Sequence, residues 1–248
     1  MPGADEAAPG PGGPGRPGME GSGVLRLHGI RHGVFPAIES LNPRFVAGAS
    51  KLCLTVDTER EPRVPEDVLV ERLLAAFPGL ARHECRAHEG PTLRPAPGTA
   101  IQLARDEPSA NPAHLLEHLV IELLAAFEPR RLRSGVTCAW VDPPERNDVF
   151  VECERELAGT AAVTLAAGAL DAALAGRPLA PLYADLLSVW TALVRRPTSP
   201  SSRHGLARAA GLPRERVERA LKMLTGSRLV AIEPLTVNLS REPHYRAC

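Results

Sequence analysis

One stretch constrains this chain more than any other. Between Pro112 and Glu128, the residues Leu115, Leu116, Leu119, Val120, Leu123, Leu124 and Phe127 recur at helical spacing around most of a cylinder, and Pro129 stops the run. Ser109-Ala110-Asn111 offers a capping residue ahead of Pro112, which suits a first helical position. A helix apolar over so much of its circumference must be enclosed by other elements. Yet His114, Glu117, His118 and Glu122 stand on it as one narrow polar stripe. Burying such groups is costly unless something satisfies them.

The stripe reads H-x-x-E-H, the inverted zincin order. Spacing of i and i+4 sets the two imidazoles one turn apart on one face, with Glu117 beside them. Two neutral imidazoles supply two ligands of a catalytic zinc, a distant carboxylate supplies a third, and an unligated Glu takes a proton from water in the open position. In that assignment His114 and His118 are metal ligands, Glu117 is the catalytic base, and Glu122 orients a ligand from behind. The downstream run Val151-Glu152-Cys153-Glu154-Arg155-Glu156 offers Glu152, Glu154 or Glu156 as the third ligand. The competing explanation is a solvated stripe whose His/Glu pairs contribute a few tenths of a kcal/mol each. The pattern alone leaves both open.

Around this helix the sequence predicts an α+β fold with a small antiparallel or mixed sheet. Alternation over Val24–His28 and Lys51–Asp57 predicts two strands, and Glu66–Phe77, closed by Pro78-Gly79, predicts a helix. Ala81–Pro108 has no clear period and reads as a long loop. Gly135–Val141 and Asp148–Cys153 read as a hairpin around Asp142-Pro143-Pro144, with Trp140 and Phe150 in its core. The alanine-rich Glu156–Ala175 reads as a further helix. Met1–Ser22, with five Pro and seven Gly, has nothing apolar to bury and is expected to be a disordered tail, leaving 23–178 as the main domain.

Residues 181–248 read as a separate module. Tyr183–Val194, Gly205–Ala210 and Arg214–Leu224 are expected helices, with Arg228–Ile232 and Leu235–Leu239 as a strand pair, and the order resembles a winged helix-turn-helix domain. Lys+Arg and Asp+Glu balance at 29 each, but Leu182–Cys248 holds 11 basic and 5 acidic residues, a net of +6. Arg214, Arg216, Arg219 and Lys222 stand on the expected recognition helix, the residue type that phosphate contact requires, with Glu215 and Glu218 among them. DNA contact and a protein-contact role both fit.

Several ordered motifs together resemble a family. Leu25-Arg26-Leu27-His28-Gly29-Ile30-Arg31-His32-Gly33, Pro78–Cys85 with its P-x-L-x-x-H-x-C spacing, Ala113–Leu123, and Phe150–Gly159 are similar to the N-terminal domain of cyanophycin synthetases. The resemblance implies an α+β domain which in some members is metallopeptidase-like and cleaves peptide or isopeptide bonds, with a peptide or polypeptide as substrate. It places Glu152 and Glu156 on the family's acidic positions. Arg133–Cys138 and Gly90–Thr99 depart from the family's Gly-rich stretches, which weighs against recognition of an Asp/Arg polymer. No G-x-x-x-x-G-K-[ST] phosphate loop exists, so a synthetase is not expected. Five cysteines without a C-x-x-C pair argue against a disulfide framework or thiolate zinc ribbon, and no apolar run reaches the length of a membrane span, so a cytoplasmic protein is expected. The alternative to a hydrolase is a non-enzymatic regulator or interaction protein carrying a DNA-binding winged helix.

Overall fold

A computed structural model describes residues 25–58, 64–85, 88–89, 94–95, 99–100, 112–129, 133–179, 181–195, 201–233 and 243–248. The expected tail at Met1–Ser22, the capping residues Ser109–Asn111 and the strand at Leu235–Leu239 lie outside them. The chain is α+β, as its patterns predict. Strands β1 (Leu25–Gly33), β2 (Lys51–Thr58), β7 (Gly135–Ala139) and β8 (Arg146–Glu152) form one antiparallel sheet in the order β1-β2-β8-β7. Between β2 and β7 come helix α1 (Glu66–Ala76), a 3-10 turn over Pro78–Arg82, and two small ladders. These pair β3 (Glu84–Cys85) with β6 (Thr99–Ala100) and β4 (His88–Glu89) with β5 (Arg94–Pro95).

Alternation along the strands decides which side each residue serves. Leu52, Leu54 and Val56 of β2 and Val149 and Val151 of β8 face the helices α2 (Pro112–Phe127) and α3 (Glu156–Leu174), where all five are fully buried. On the other face Cys53, Val136 and Phe150 form a smaller cluster with Phe45, Phe35, Ile38 and Leu41. α2 is buried as its composition demands: Leu116, Leu119, Val120, Leu123 and Leu124 are inaccessible. Its end is tied down by Glu128, whose carboxylate accepts from Arg133 Nη2 at 2.7 Å and from the Arg155 backbone N–H at 3.0 Å. α3 is long and apolar enough to cross a membrane by length and composition, and 61% of that apolar window is buried inside the protein, as in a core helix.

The C-terminal part contains α4 (Leu182–Val194), β9 (Ser201–Ser202), α5 (Arg203–Ala210), α6 (Arg214–Gly226), β10 (Val230–Glu233) and β11 (His244–Ala247), with a three-stranded sheet ordered β10-β11-β9. Ser202 caps α5 by accepting from the Gly205 N–H at 3.1 Å, and Gly211 ends it at φ 66, a left-handed position suited to glycine. Among the described residues β10 pairs with β11.

The buried residues of this part are continuous with those of the main sheet and its helices. Trp190 of α4 is 1% exposed, donates from Nε1 to the Ala126 carbonyl at 3.0 Å and meets Phe127 edge-on at 5.2 Å. Tyr183 donates to the Leu165 carbonyl at 3.2 Å. One continuous apolar cluster therefore runs from the main sheet through α4 to Val217, Leu221 and Leu224 of α6. One correction concerns the hairpin tip: Phe150 is buried, but Trp140 is 41% exposed and lies against the Arg146 guanidinium at 5.3 Å. It sits just past the end of β7.

Candidate metal centre

α2 delivers the central cluster. One helical turn brings His114 Nε2 and His118 Nε2 to 3.0 Å, with ring centroids 4.7 Å apart. Glu117 joins them: a ligand-capable atom from each of His114, Glu117 and His118 lies within 4.8 Å of the other two, the one such group of three among the described residues. This group can hold a metal ion. Glu117 is 5% and His118 6% exposed, so the stripe runs into the protein and not along a wet surface.

Strand β7 passes over the carboxylate. Thr137 Oγ1 donates to Glu117 Oε2 at 2.6 Å, which commits that oxygen and leaves Oε1 for a further partner. Gly135 makes the approach possible, because a Cβ there would lie 2.7 Å from Glu117 Oε1 and 2.8 Å from its Cγ. Burial pushes the Glu117 carboxyl up to about 7, with the Thr137 hydrogen bond pulling the other way. Burial also drives His118 well below 6.5, helped by the neighbouring His114 and His83 rings, so its imidazole is neutral at physiological pH. A neutral imidazole is the form that ligates metal.

A third histidine, His83, read from the sequence as a surface or core residue that lines the site only if its loop covers it, joins the arrangement. His83 follows the 3-10 turn over Pro78–Arg82, closed by its own N–H donating to the Leu80 carbonyl at 3.0 Å. Its Nδ1 lies 3.3 Å from His118 Nδ1 and its Nε2 lies 3.0 Å from Glu122 Oε2. Glu122 thus touches His83 and reaches the expected ligand His118 only through it. Gly79, on the same turn, again marks a close approach: a Cβ there would sit 1.8 Å from Glu122 Oε1.

The expected third ligand is not found where the sequence reading put it. Glu152 is buried, but on the face of β8 that carries Phe150, whereas α2 packs on the face of Val149 and Val151. Its carboxylate accepts from the Val46 N–H at 2.7 Å and the Ser134 N–H at 3.4 Å, beside a cleft of ≈ 180 Å³ lined by Ala49, Ser50, Arg133, Cys153 and Glu154. Glu156 opens α3 and is exposed, as is Glu154, and neither joins the cluster.

The four basic residues of α6 also separate. Arg216 turns toward α4, where Nε and Nη2 grip Asp185 at 2.7 and 2.5 Å, and Asp185 is 2% exposed. Arg216 is therefore an internal tie. Arg214 approaches Glu218 at 3.4 Å, and Glu218 also pairs with Arg203 at 2.8 Å. Arg219 and Lys222 are exposed. Comparison with known protein families and with curated proteins finds no match to this chain.

Proposed function

We propose that this protein is a zinc-dependent hydrolase of peptide or isopeptide bonds, working at the α2 cluster. The observation that carries the reading is the 3.0 Å separation of His114 Nε2 and His118 Nε2 with buried Glu117 alongside. Two tetrahedral zinc–nitrogen bonds of about 2.0–2.1 Å set their nitrogens about 3.3 Å apart, so the pair is nearly in place for one cation. The imidazole and carboxylate donors suit zinc, and the resemblance to a metallopeptidase-like domain supports the same choice.

Zinc bound there would act as a Lewis acid and acidify a water. His114 and His118 hold the cation, and Thr137 fixes Glu117 with Oε1 free to take the proton of an attacking water and return it to the leaving amine. The free thiols of Cys53, Cys138, Cys153 and Cys248 support a cytoplasmic setting. The test is amine release from peptide and isopeptide substrates by the zinc-loaded protein, set against Glu117→Gln. The variant should keep its zinc and lose at least about a hundredfold in rate. Undiminished cleavage by the variant, or none by the zinc-loaded wild type, refutes the assignment.

A second reading, a regulator that binds DNA through a winged helix, is favoured by α5, the Gly211 turn, α6 and the β10-β11 pair, with Arg219 and Lys222 exposed. It predicts DNA retention that weakens with salt, the slope falling by about two when both residues become glutamate.

A further inference from the structure

We propose that the free edge of β7 is a docking strand for an extended peptide main chain, which makes the substrate of the α2 cluster a linear polypeptide and not a side-chain isopeptide. The docking edge stands on the sheet alone, while its link to cleavage rests on the hydrolase reading above. In the order β1-β2-β8-β7, β7 is outermost. The Trp140 N–H donates to the Arg146 carbonyl at 2.9 Å and the Glu152 N–H to the Ser134 carbonyl at 3.0 Å, so Ser134, Val136, Cys138 and Trp140 are the residues that bond to β8. Gly135, Thr137 and Ala139 therefore turn their N–H and C=O groups away from the sheet. Asn42 Nδ2 takes the Gly135 carbonyl at 2.7 Å. Among the described residues, the main-chain N–H and C=O of half-buried Thr137 and exposed Ala139 have no partner.

Exposed sheet edges are ordinarily blunted by charges, prolines or bulges. β1, the other outer strand, follows that rule: Arg26 and Arg31 stand on it with His28 and His32, and its ladder is bulged between Leu27 and Gly29. β7 reads Gly-Val-Thr-Cys-Ala, with no charge, no proline and an unbroken register. An unguarded edge of unpaired groups is the template on which an extended peptide adds a strand. Its place suits a substrate. Thr137 Oγ1 holds Glu117 Oε2 at 2.6 Å, so a strand added at the usual spacing of about 4.8 Å lies directly beside the strand that makes this bond. In antiparallel pairing the residue opposite Thr137 exchanges two hydrogen bonds with it and points its side chain to the face of Thr137, which is the face of α2. The residue opposite Ala139 does the same two positions along, and Asn42 closes the edge at Gly135. An isopeptide runs through a side chain and lacks this regular array of main-chain donors and acceptors.

Amide exchange followed by NMR on the full chain tests the edge independently of catalysis. In the free protein the Thr137 and Ala139 amides should exchange at least about tenfold faster than those of Val136 and Cys138, which are laddered to β8. A millimolar pool of random-sequence linear decapeptides should slow Thr137 and Ala139, and the same pool methylated at every backbone nitrogen should not. Ala139→Pro removes an outward N–H and no bond to β8, so it should melt near wild type and bind the pool about 2–10-fold more weakly. No slowing by the decapeptides, equal slowing by the methylated pool, or undiminished binding by Ala139→Pro overturns the proposal; should that variant fail to fold, the two pools on wild type decide. Slow exchange of the two amides in the free chain also overturns it, a dependence on protein concentration marking a second copy as the occupant. In the zinc-loaded protein the decapeptides should be cleaved and glutamyl-lysine isopeptides should not. Equal cleavage of both overturns the substrate class, whereas protection of the edge without cleavage of either upholds the docking strand and overturns the hydrolase reading.

Discussion

Replacing Gly135 with alanine is the sharpest small perturbation of this site. The added Cβ would meet Glu117 Oε1 at 2.7 Å, Cγ at 2.8 Å and Cδ at 2.9 Å, where ordinary contact begins at 3.4 Å, so something must retreat by up to 3.4 − 2.7 = 0.7 Å. The side chain is not free to swing. Its Oε2 is held by Thr137 two residues along the same strand, and its flanks on α2, Leu116 and His118, are buried. The strand resists too, because β7 is laddered to β8 with Gly135 opposite Val151, and the Gly135 carbonyl accepts from Asn42 Nδ2 at 2.7 Å. Overpacking of this kind costs about 1–3 kcal/mol, and in a chain of this size each kcal/mol lowers the melting temperature by about 2–4 °C. Gly135→Ala should therefore melt roughly 3–10 °C below wild type and, in the zinc-loaded protein, cleave peptide substrate at least about tenfold more slowly, since Glu117 is displaced. Gly29→Ala and Gly33→Ala are the controls: neither Cβ meets anything within 4 Å, and both should stay within about 0.5 kcal/mol of wild type. Calorimetry and the peptide-cleavage assay read both effects. A Gly135→Ala protein that melts and cleaves like wild type would show that the close approach of β7 to Glu117 is not a feature of the folded protein.

Other consequences are open to the same kind of check. Arg216→Met should destabilise by about 3 kcal/mol in urea unfolding, because it strands the buried Asp185 carboxylate, whereas Arg219→Met should be nearly silent; equal effects would contradict the internal role of Arg216. Thr137→Val removes the donor to Glu117 Oε2 and should cost about 1–3 kcal/mol, while Thr164→Val, whose hydroxyl bonds only within an exposed helical turn, should not. The Arg146 guanidinium, and after it His28, hold the Asp57 carboxyl below its usual range against a smaller effect of burial. A depressed folded value means that this stabilisation is present above the ordinary Asp range near 4 and is lost as pH falls through the folded value. Arg146→Met should thus lower the urea midpoint near pH 7 and change it little near pH 2; the same deficit at both would remove the ion pair as its cause.

Much of this was legible in the residues, and the misses have physical reasons. The seven apolar positions of α2 could be placed because a helix buried on most sides leaves a strong period, and the period carries His114, Glu117 and His118 to one point. The hairpin β7-β8 and helix α3 followed from alternation and from an unbroken alanine-rich run. Glu152 failed as a ligand for a reason already present in that alternation: a residue opposite Val149 and Val151 in parity cannot reach a helix packed on those valines. His83 and Thr137 could not be found the same way. Each reaches the cluster through tertiary approach, with 35 residues separating His83 from His118 and 20 separating Thr137 from Glu117, and local spacing says nothing about such pairs. Arg216 looked like its neighbours on α6 because its partner Asp185 stands 31 residues earlier, on α4. Gly79 and Gly135, read from the sequence as a helix stop and a strand start, are also where backbone passes close to a carboxylate.

The central claim is that His114 and His118 hold a cation together. Its most direct test is the zinc content, by mass spectrometry, of the purified full chain after dialysis against low-micromolar zinc and then metal-free buffer, with His114→Asn/His118→Asn in parallel. One zinc per chain in the wild type and essentially none in the double variant is the predicted result. No retained zinc in the wild type, or the same content in both proteins, contradicts it.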